Sequence, residues 1–176
     1  MKKMIAMLEA AQAQGVELYV QPIDSRTMPD AAASAAFDAL EDVLFVGYPS
    51  GVWDQVNALP ILRRGSTATA LALDFEGRAE FLIDAAVYPG SSGSPVFVRR
   101  RRSDGAPDDT SQSAPWFAGV VAAVFFREEA SRLVPVPVPA SVGGTVLGSE
   151  MIDLGLVIKA SAVQELLAAY LGRWLD

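Results

Sequence analysis

Two residue types with central roles in protein chemistry are absent from this sequence. The chain of 176 residues contains no cysteine and no histidine. Without cysteine it can form neither disulfides nor thiolate metal sites. Without histidine, a zinc site would need carboxylates alone, so we expect neither a metal nor another cofactor. An imidazole is also the usual base for a serine nucleophile, so a Ser-His-Asp triad cannot be completed within this chain.

Excess positive charge and long apolar runs are also lacking. Lysine and arginine total 14 against 21 aspartates and glutamates, so the net charge of -7 argues against nucleic acid as a partner. The one basic cluster, 99–102, is followed by Asp104 and is interpreted as a solvated hairpin tip.

Glu9 interrupts the apolar start of the chain before it reaches the length of a signal-peptide core. No segment approaches the roughly 20 apolar residues of a membrane span, so we expect a cytoplasmic protein without a membrane partner.

The spacing of apolar and turn residues predicts a mainly β fold. The length and the 51% hydrophobic content suit one domain with a sizeable core. Helical patterns occupy 2–14 and 161–174, where Ser161 is the expected cap, and the alanine-rich stretch 31–40 is read as a helix or helical turn. Strands are predicted at 16–23, 43–46, 61–73, 79–83, 95–100, 116–126 and 154–158.

These strands, separated by turn residues, indicate an antiparallel β-barrel. We divide the chain into a helical connecting segment, 1–40, and a barrel with its C-terminal helix, 41–176. The continuous apolar run 43–46 is expected to be buried on both faces. The run 61–73 is either one strand kinked at Gly65 or two strands that meet there. Alternating valine and proline at 134–139 predict an extended connection rather than a docking site for a proline-binding partner.

One stretch, residues 81–97, combines two apolar runs with a turn made of glycine, serine and proline. The turn reads Gly90-Ser91-Ser92-Gly93-Ser94-Pro95, and by composition alone it would suit any polar hairpin loop. Its glycines, however, permit positive φ, which allows main-chain N–H groups to converge beside a serine instead of pairing in a sheet. That arrangement is how an oxyanion hole is built.

The order of these residues resembles the Gly-x-Ser-Gly-x-Pro nucleophile loop of trypsin-like serine peptidases. With Asp84-Ala85-Ala86 and Pro89 in front, it is most similar to the bacterial branch that includes the HtrA-type proteases. The resemblance implies that Ser92 is the nucleophile and that the N–H groups of Gly90 and Ser92 form the oxyanion hole. The chain departs from the family at Ser91, where an Asp or Asn is usual, and at Ser94, where a second Gly is usual.

The resemblance extends over about residues 41–171 and matches only the second of the family's two barrels. The catalytic His and Asp lie on the first barrel, which we expect to be missing from this chain. By the same resemblance, a peptide or protein substrate pairs as an extra strand along 121–124, which assigns substrate binding to Val121, Ala122 and Ala123. Ala86 would lie at the base of the pocket for the residue before the cut and offers no charge to a Lys or Arg.

Three hypotheses follow from these residues. In the first, the chain is an endopeptidase barrel, inactive alone, whose His and Asp come from another polypeptide or were lost from this open reading frame. In the second, it is a pseudopeptidase that binds peptides without cleaving them. The third is a Ser-Lys dyad that uses Lys159, for which a solvent-facing position at a strand end is the favoured interpretation.

Asp84 is interpreted as a structural residue that holds the loop by hydrogen bonds. Loss of the first barrel should expose apolar surface, so we expect self-association or a complementing partner.

Overall fold

The computed structural model of the chain describes residues 2–15, 22–100, 115–132 and 145–175. Its α-helices are α1 (Lys2–Ala13), α2 (Ala31–Ala35) and α3 (Ala160–Leu175), with short 3₁₀ turns at Ser25–Thr27 and Pro49–Gly51. Its strands are β1 (Asp42–Gly47), β2 (Ile61–Thr67), β3 (Glu80–Asp84), β4 (Pro95–Arg99), β5 (Trp116–Arg132) and β6 (Thr145–Lys159).

The six strands close into one antiparallel barrel in the order β1-β2-β3-β6-β5-β4. Antiparallel pairing of β1 with β4, from Asp42 opposite Arg99 to Phe45 opposite Val96, completes the closure. This confirms the prediction of a mainly β, antiparallel barrel with a helix near each end of the chain. Closure pairs the edges that an open sheet would leave unsatisfied.

The hydrophobic core lies inside the barrel. Along β1, Val43 and Phe45 are almost completely buried, whereas Leu44 and Val46, which alternate with them, are half-buried on the outside. The prediction that 43–46 is buried on both faces is therefore wrong, because a closed barrel covers only the inner side of each strand. Strands β3 to β6 contribute inward side chains to the same core: Phe81, Ile83, Val96, Val98, Val121 and Val157.

Strands β5 and β6 are longer than their apolar patterns predict. Their pairing continues from Phe126 opposite Met151 to Arg132 opposite Thr145. The charged run at 127–129 hides this extension in the sequence, because it interrupts the alternation that marks a half-buried strand. Strand β2 ends at Thr67. The prediction that the strand pattern continues to residue 73 is therefore wrong.

The alanine-rich stretch is helical only over Ala31–Ala35. Asp30 caps this helix, since its carboxylate accepts a hydrogen bond of 2.7 Å from the N–H of Ala33. Phe37 then packs edge-to-face against Trp116 with ring centroids 6.2 Å apart. Because Phe37 is 6% exposed, its burial in the core explains why the chain leaves the helix before residue 40.

Helix α3 follows β6 directly and begins at Ala160, so Ser161 lies within its first turn and is not a cap before it. Several predictions fall outside the described residues: most of the strand at 16–23, residues 101–102 of the basic cluster and the run at 134–139. In the part of the chain that the structure describes, no helix is long and apolar enough to cross a membrane.

Candidate active site

The glycine- and serine-rich turn connects β3 to β4 as two successive tight turns. The N–H of Ser91 donates to the carbonyl oxygen of Tyr88, and the N–H of Ser94 donates to that of Ser91, both at 3.0 Å. Gly90 and Gly93 have φ values of +91° and +85°, a region that side chains strongly disfavour. The two glycines therefore allow the reversal that places Ser92 at its tip. Residues 88–95 are called the serine loop below.

Main-chain hydrogen bonds hold the serine loop on two sides. The N–H of Gly93 donates to the carbonyl oxygen of Val121 at 2.8 Å, and the N–H of Val121 donates to that of Ser94 at 3.0 Å. On the other side, the N–H of Ser50 donates to the carbonyl oxygen of Pro89 at 2.7 Å. The loop is thus fixed between β5 and the turn at 48–51.

The structure separates the three serines of this loop. Ser91 and Ser94 are 1% and 5% exposed, whereas Ser92 is exposed to solvent. The hydroxyl of Ser92 donates to the carbonyl oxygen of Ala122 at 3.4 Å, which is long for an O–H···O hydrogen bond and therefore weak. Ser92 alone presents a hydroxyl that a ligand can reach.

The main-chain N–H groups of Gly90 and Ser92 are donors without a partner in the described structure. Within the described residues neither group donates a hydrogen bond, although Ser91, Gly93 and Ser94 between and after them all do. Donors that are not paired in a sheet or a turn remain available to water or to a ligand. An exposed hydroxyl with free N–H groups on its own residue and two residues earlier is the set of groups that an oxyanion hole uses.

The hydroxyl of Ser91 is buried and unsatisfied. It has no hydrogen-bond partner among the residues that the structure describes. Leaving a buried hydroxyl unpaired costs about 1–3 kcal/mol, so this side chain weakens the loop that it occupies. The position is one at which the chain departs from the family that its loop resembles.

No base contacts the Ser92 hydroxyl in the described part of the chain, where Ala122 is its hydrogen-bond partner. Lys159, the candidate base, instead donates to the carbonyl oxygen of Leu73 at 2.7 Å and to Asp74 Oδ1 at 2.6 Å. Its side chain is 12% exposed, so the prediction that it faces solvent is wrong. These two hydrogen bonds hold the ammonium of Lys159, so they account for its position without a role as a base.

Asp84 does not hold the serine loop as predicted. Its side chain is exposed at the end of β3 and forms no hydrogen bond with the residues described here. The segment after it is instead held through the main chain, where the N–H of Ala85 donates to the carbonyl oxygen of Asp153 at 2.9 Å. Ala86, the residue expected at the base of a substrate pocket, is half-buried in this segment.

The predicted substrate strand lies at an irregular part of β5. Pairing with β6 shifts between Val121 and Ala123, so Ala122 is left out of register. Val121 already uses its N–H and its carbonyl oxygen in the serine loop. The pairing of β4 with β5 ends at Val120, and in the described structure no strand pairs with 122–126 on the side opposite β6. A free main-chain edge thus begins at Ala122, beside Ser92.

Arg63 is a residue near the serine loop that the sequence patterns did not identify. It lies on β2 opposite Phe45, and its guanidinium carbon is 4.8 Å from the centroid of the Tyr88 ring. Only the strand register and the path of the chain after β3 bring these residues together. No local pattern in the sequence could have identified the contact.

Comparisons with protein-family models, with curated proteins and with solved structures found no match to this chain. The class of protein is therefore given by its fold alone, a closed antiparallel β-barrel. The functional interpretation rests on the serine loop and its surroundings.

Proposed function

We propose that this chain is a trypsin-like serine peptidase homologue that keeps the nucleophile loop but is inactive by itself. Ser92 is the nucleophile, and the N–H groups of Gly90 and Ser92 form the oxyanion hole. The observation that carries the proposal is the contrast within one loop: Ser92 is exposed, and its N–H and that of Gly90 have no partner among the described residues, whereas Ser91 and Ser94 are buried.

The chemistry that these groups support is acyl transfer from a peptide bond. The Ser92 hydroxyl would attack the carbonyl carbon, and the two N–H groups would stabilise the negative oxygen of the tetrahedral intermediate. A base must remove the hydroxyl proton for this attack to be fast at neutral pH. These 176 residues contain no histidine to serve as that base, so cleavage requires a His and an Asp from outside them.

A second candidate function is peptide binding without cleavage, as in a pseudopeptidase. The free edge that begins at Ala122 favours it, because an extended peptide can add to such an edge through main-chain hydrogen bonds. Since Val121 is already hydrogen-bonded to the serine loop, the added strand would pair mainly with the residues from Ala122 onward.

Exposed apolar side chains support the proposal that the chain associates with a partner or with itself. One face of α3 carries Leu166, Leu167, Tyr170 and Leu171, which are 37–69% exposed. Segment 52–62 presents a second group of exposed apolar side chains: Val52, Trp53, Val56, Leu59 and Leu62. Exposed apolar surface of this kind is typical of interaction sites.

Labelling with a phosphonate probe for active serines tests the proposal and separates the two functions. The isolated chain should not be labelled. Addition of a His-bearing barrel should produce labelling of Ser92 if the chain is a complemented peptidase, and the Ser92→Ala variant serves as the control that loses it. A pseudopeptidase should remain unlabelled and bind a capped peptide. Labelling of the isolated wild-type chain would contradict both functions, because it would require a base within the chain.

A further inference from the structure

The guanidinium of Arg63 lies on the aromatic surface that leads into the serine loop. Its central carbon is 4.8 Å from the ring centroid of Tyr88 and 5.8 Å from that of Phe45. The carbonyl oxygen of Tyr88 accepts the N–H of Ser91, so this ring belongs to the first turn of the serine loop. The cation is therefore placed against the same segment that positions Ser92.

Arg63 is half-buried, yet no carboxylate of the described residues pairs with it. In the described part of the chain its side chain forms no ion pair and donates no hydrogen bond. The neighbouring Arg64 points outward and lies 3.3 Å from a carboxylate oxygen of Asp42. The chain has 21 acidic residues for 14 basic ones, so a shortage of acids does not explain the unpaired cation.

The chemistry of the guanidinium defines what would complete this site. A partly buried cation without a counter-charge is costly, and contact with aromatic rings offsets only part of that cost. Packing on two rings restricts the plane of the guanidinium while its N–H donors stay unused. A planar fork of donors matches the two oxygens of a carboxylate, which it binds with paired hydrogen bonds.

We propose that Arg63 is a specificity determinant that selects a carboxylate on the peptide bound beside Ser92. This inference rests on the proposed function, since it assumes that a peptide occupies the free edge next to the serine loop. The carboxylate can come from an acidic side chain or from the C-terminus of the peptide. Ala86 contributes no charge of either sign, so Arg63 sets the charge preference of the site.

Peptide binding measured by fluorescence anisotropy tests this assignment. The probes are labelled, doubly capped hexapeptides of Val and Ala that carry one Glu at each position in turn, with Gln counterparts. An otherwise neutral hexapeptide with a free C-terminus distinguishes the second source of the carboxylate. Wild-type protein should bind at least one carboxylate peptide about tenfold more tightly than its neutral counterpart, because charged hydrogen bonds are roughly twice as strong as neutral ones. High salt should reduce this preference.

Two matched variants assign the preference to Arg63. Arg63→Met should abolish it, whereas Arg64→Met removes the same charge from the adjacent, exposed position and should leave it intact. Arg63→Lys keeps the charge without the fork of guanidinium donors and should retain only part of the preference. It replaces Arg63→Met as the test variant if Arg63→Met does not fold. If the wild type binds Glu and Gln peptides equally and shows no preference for a free over a capped C-terminus, the inference alone is overturned. Binding of no peptide at all would overturn the peptide-binding function together with it.

Discussion

The Ser92 hydroxyl lies 3.4 Å from the carbonyl oxygen of Ala122. At Ala122 the register of the pairing between β5 and β6 shifts. The irregular strand and the exposed serine therefore meet at one point of the barrel. Val121, the neighbour of Ala122, fixes this relationship because its main chain is hydrogen-bonded to Gly93 and to Ser94. A peptide that adds to β5 from Ala122 onward would begin beside the Ser92 hydroxyl.

Removal of the Ser91 hydroxyl should not harm the fold. This group is buried without a partner, so we expect Ser91→Ala to leave the free energy of unfolding unchanged or to raise it by about 1 kcal/mol. Ser91→Asp should lower it by about 3 kcal/mol or more, because a buried carboxylate would have no counter-charge there. Urea denaturation measures both changes, with the exposed Ser92→Ala as the control. A loss of more than about 1 kcal/mol in Ser91→Ala would show that the hydroxyl has a stabilising partner.

The two glycines of the serine loop should respond differently to alanine. Both have positive φ, but a Cβ at Gly90 would lie 2.9 Å from the carbonyl oxygen of Tyr48, whereas a Cβ at Gly93 would meet nothing within 4 Å. Gly93→Ala should cost about 1 kcal/mol from backbone strain alone, and Gly90→Ala about 2 kcal/mol or more. Thermal or urea denaturation gives the difference. Equal losses would contradict close contact between the loop and the turn at 48–51.

Lys159 should stabilise the fold without taking part in peptide binding. Lys159→Met removes the hydrogen bonds to Leu73 and Asp74, so the free energy of unfolding should fall by about 1–2 kcal/mol. Asp74→Asn should cost less than about 1 kcal/mol, because Asp74 is 54% exposed and solvent screens its charge. Labelling of Ser92 in the isolated wild-type chain that is lost in a folded Lys159→Met protein would revive the Ser-Lys hypothesis.

The ionisation of Asp24 should report the short loop before α2. Hydrogen bonds from the Arg26 side chain and main chain lower the pKa of Asp24 from 3.8 to about 2. Since the folded-state pKa is depressed, this contribution to stability is present above the unfolded value near 3.8 and is lost as the pH falls toward 2. An NMR titration of the carboxyl group should give a midpoint near 2, and Arg26→Ala should move it toward 3.8. An unchanged midpoint in that variant would contradict the contact.

Much of the barrel was predictable from the sequence because its strands follow local rules. Strand β3 lies within a short apolar run after the turn at 74–78, and β4 follows the glycine- and serine-rich turn, so both were predicted close to their observed bounds. The extension of β5 and β6 was not predictable in the same way. Their outer parts contain charged and small residues, and backbone pairing between distant segments decides their structure.

The candidate site was also predictable only in part. Glycine permits the positive φ observed at positions 90 and 93, and the residue order identified Ser92 as the serine of interest. Composition could not show that Ser91 and Ser94 are buried, since that depends on how the loop packs against β5 and β1. The contact of Arg63 with Tyr88 joins two segments through the register of β1 with β2, which no local pattern encodes.

Amide hydrogen exchange within the serine loop tests the central claim most directly. The account predicts fast exchange for the N–H groups of Gly90 and Ser92, which have no hydrogen-bond partner among the described residues, and slower exchange for Ser91, Gly93 and Ser94. All five groups lie on the same loop, so a difference between them would report hydrogen bonding and not general loop motion. Protection of Gly90 and Ser92 equal to that of Gly93 would mean that their N–H groups are already paired, and the proposed oxyanion hole would not exist.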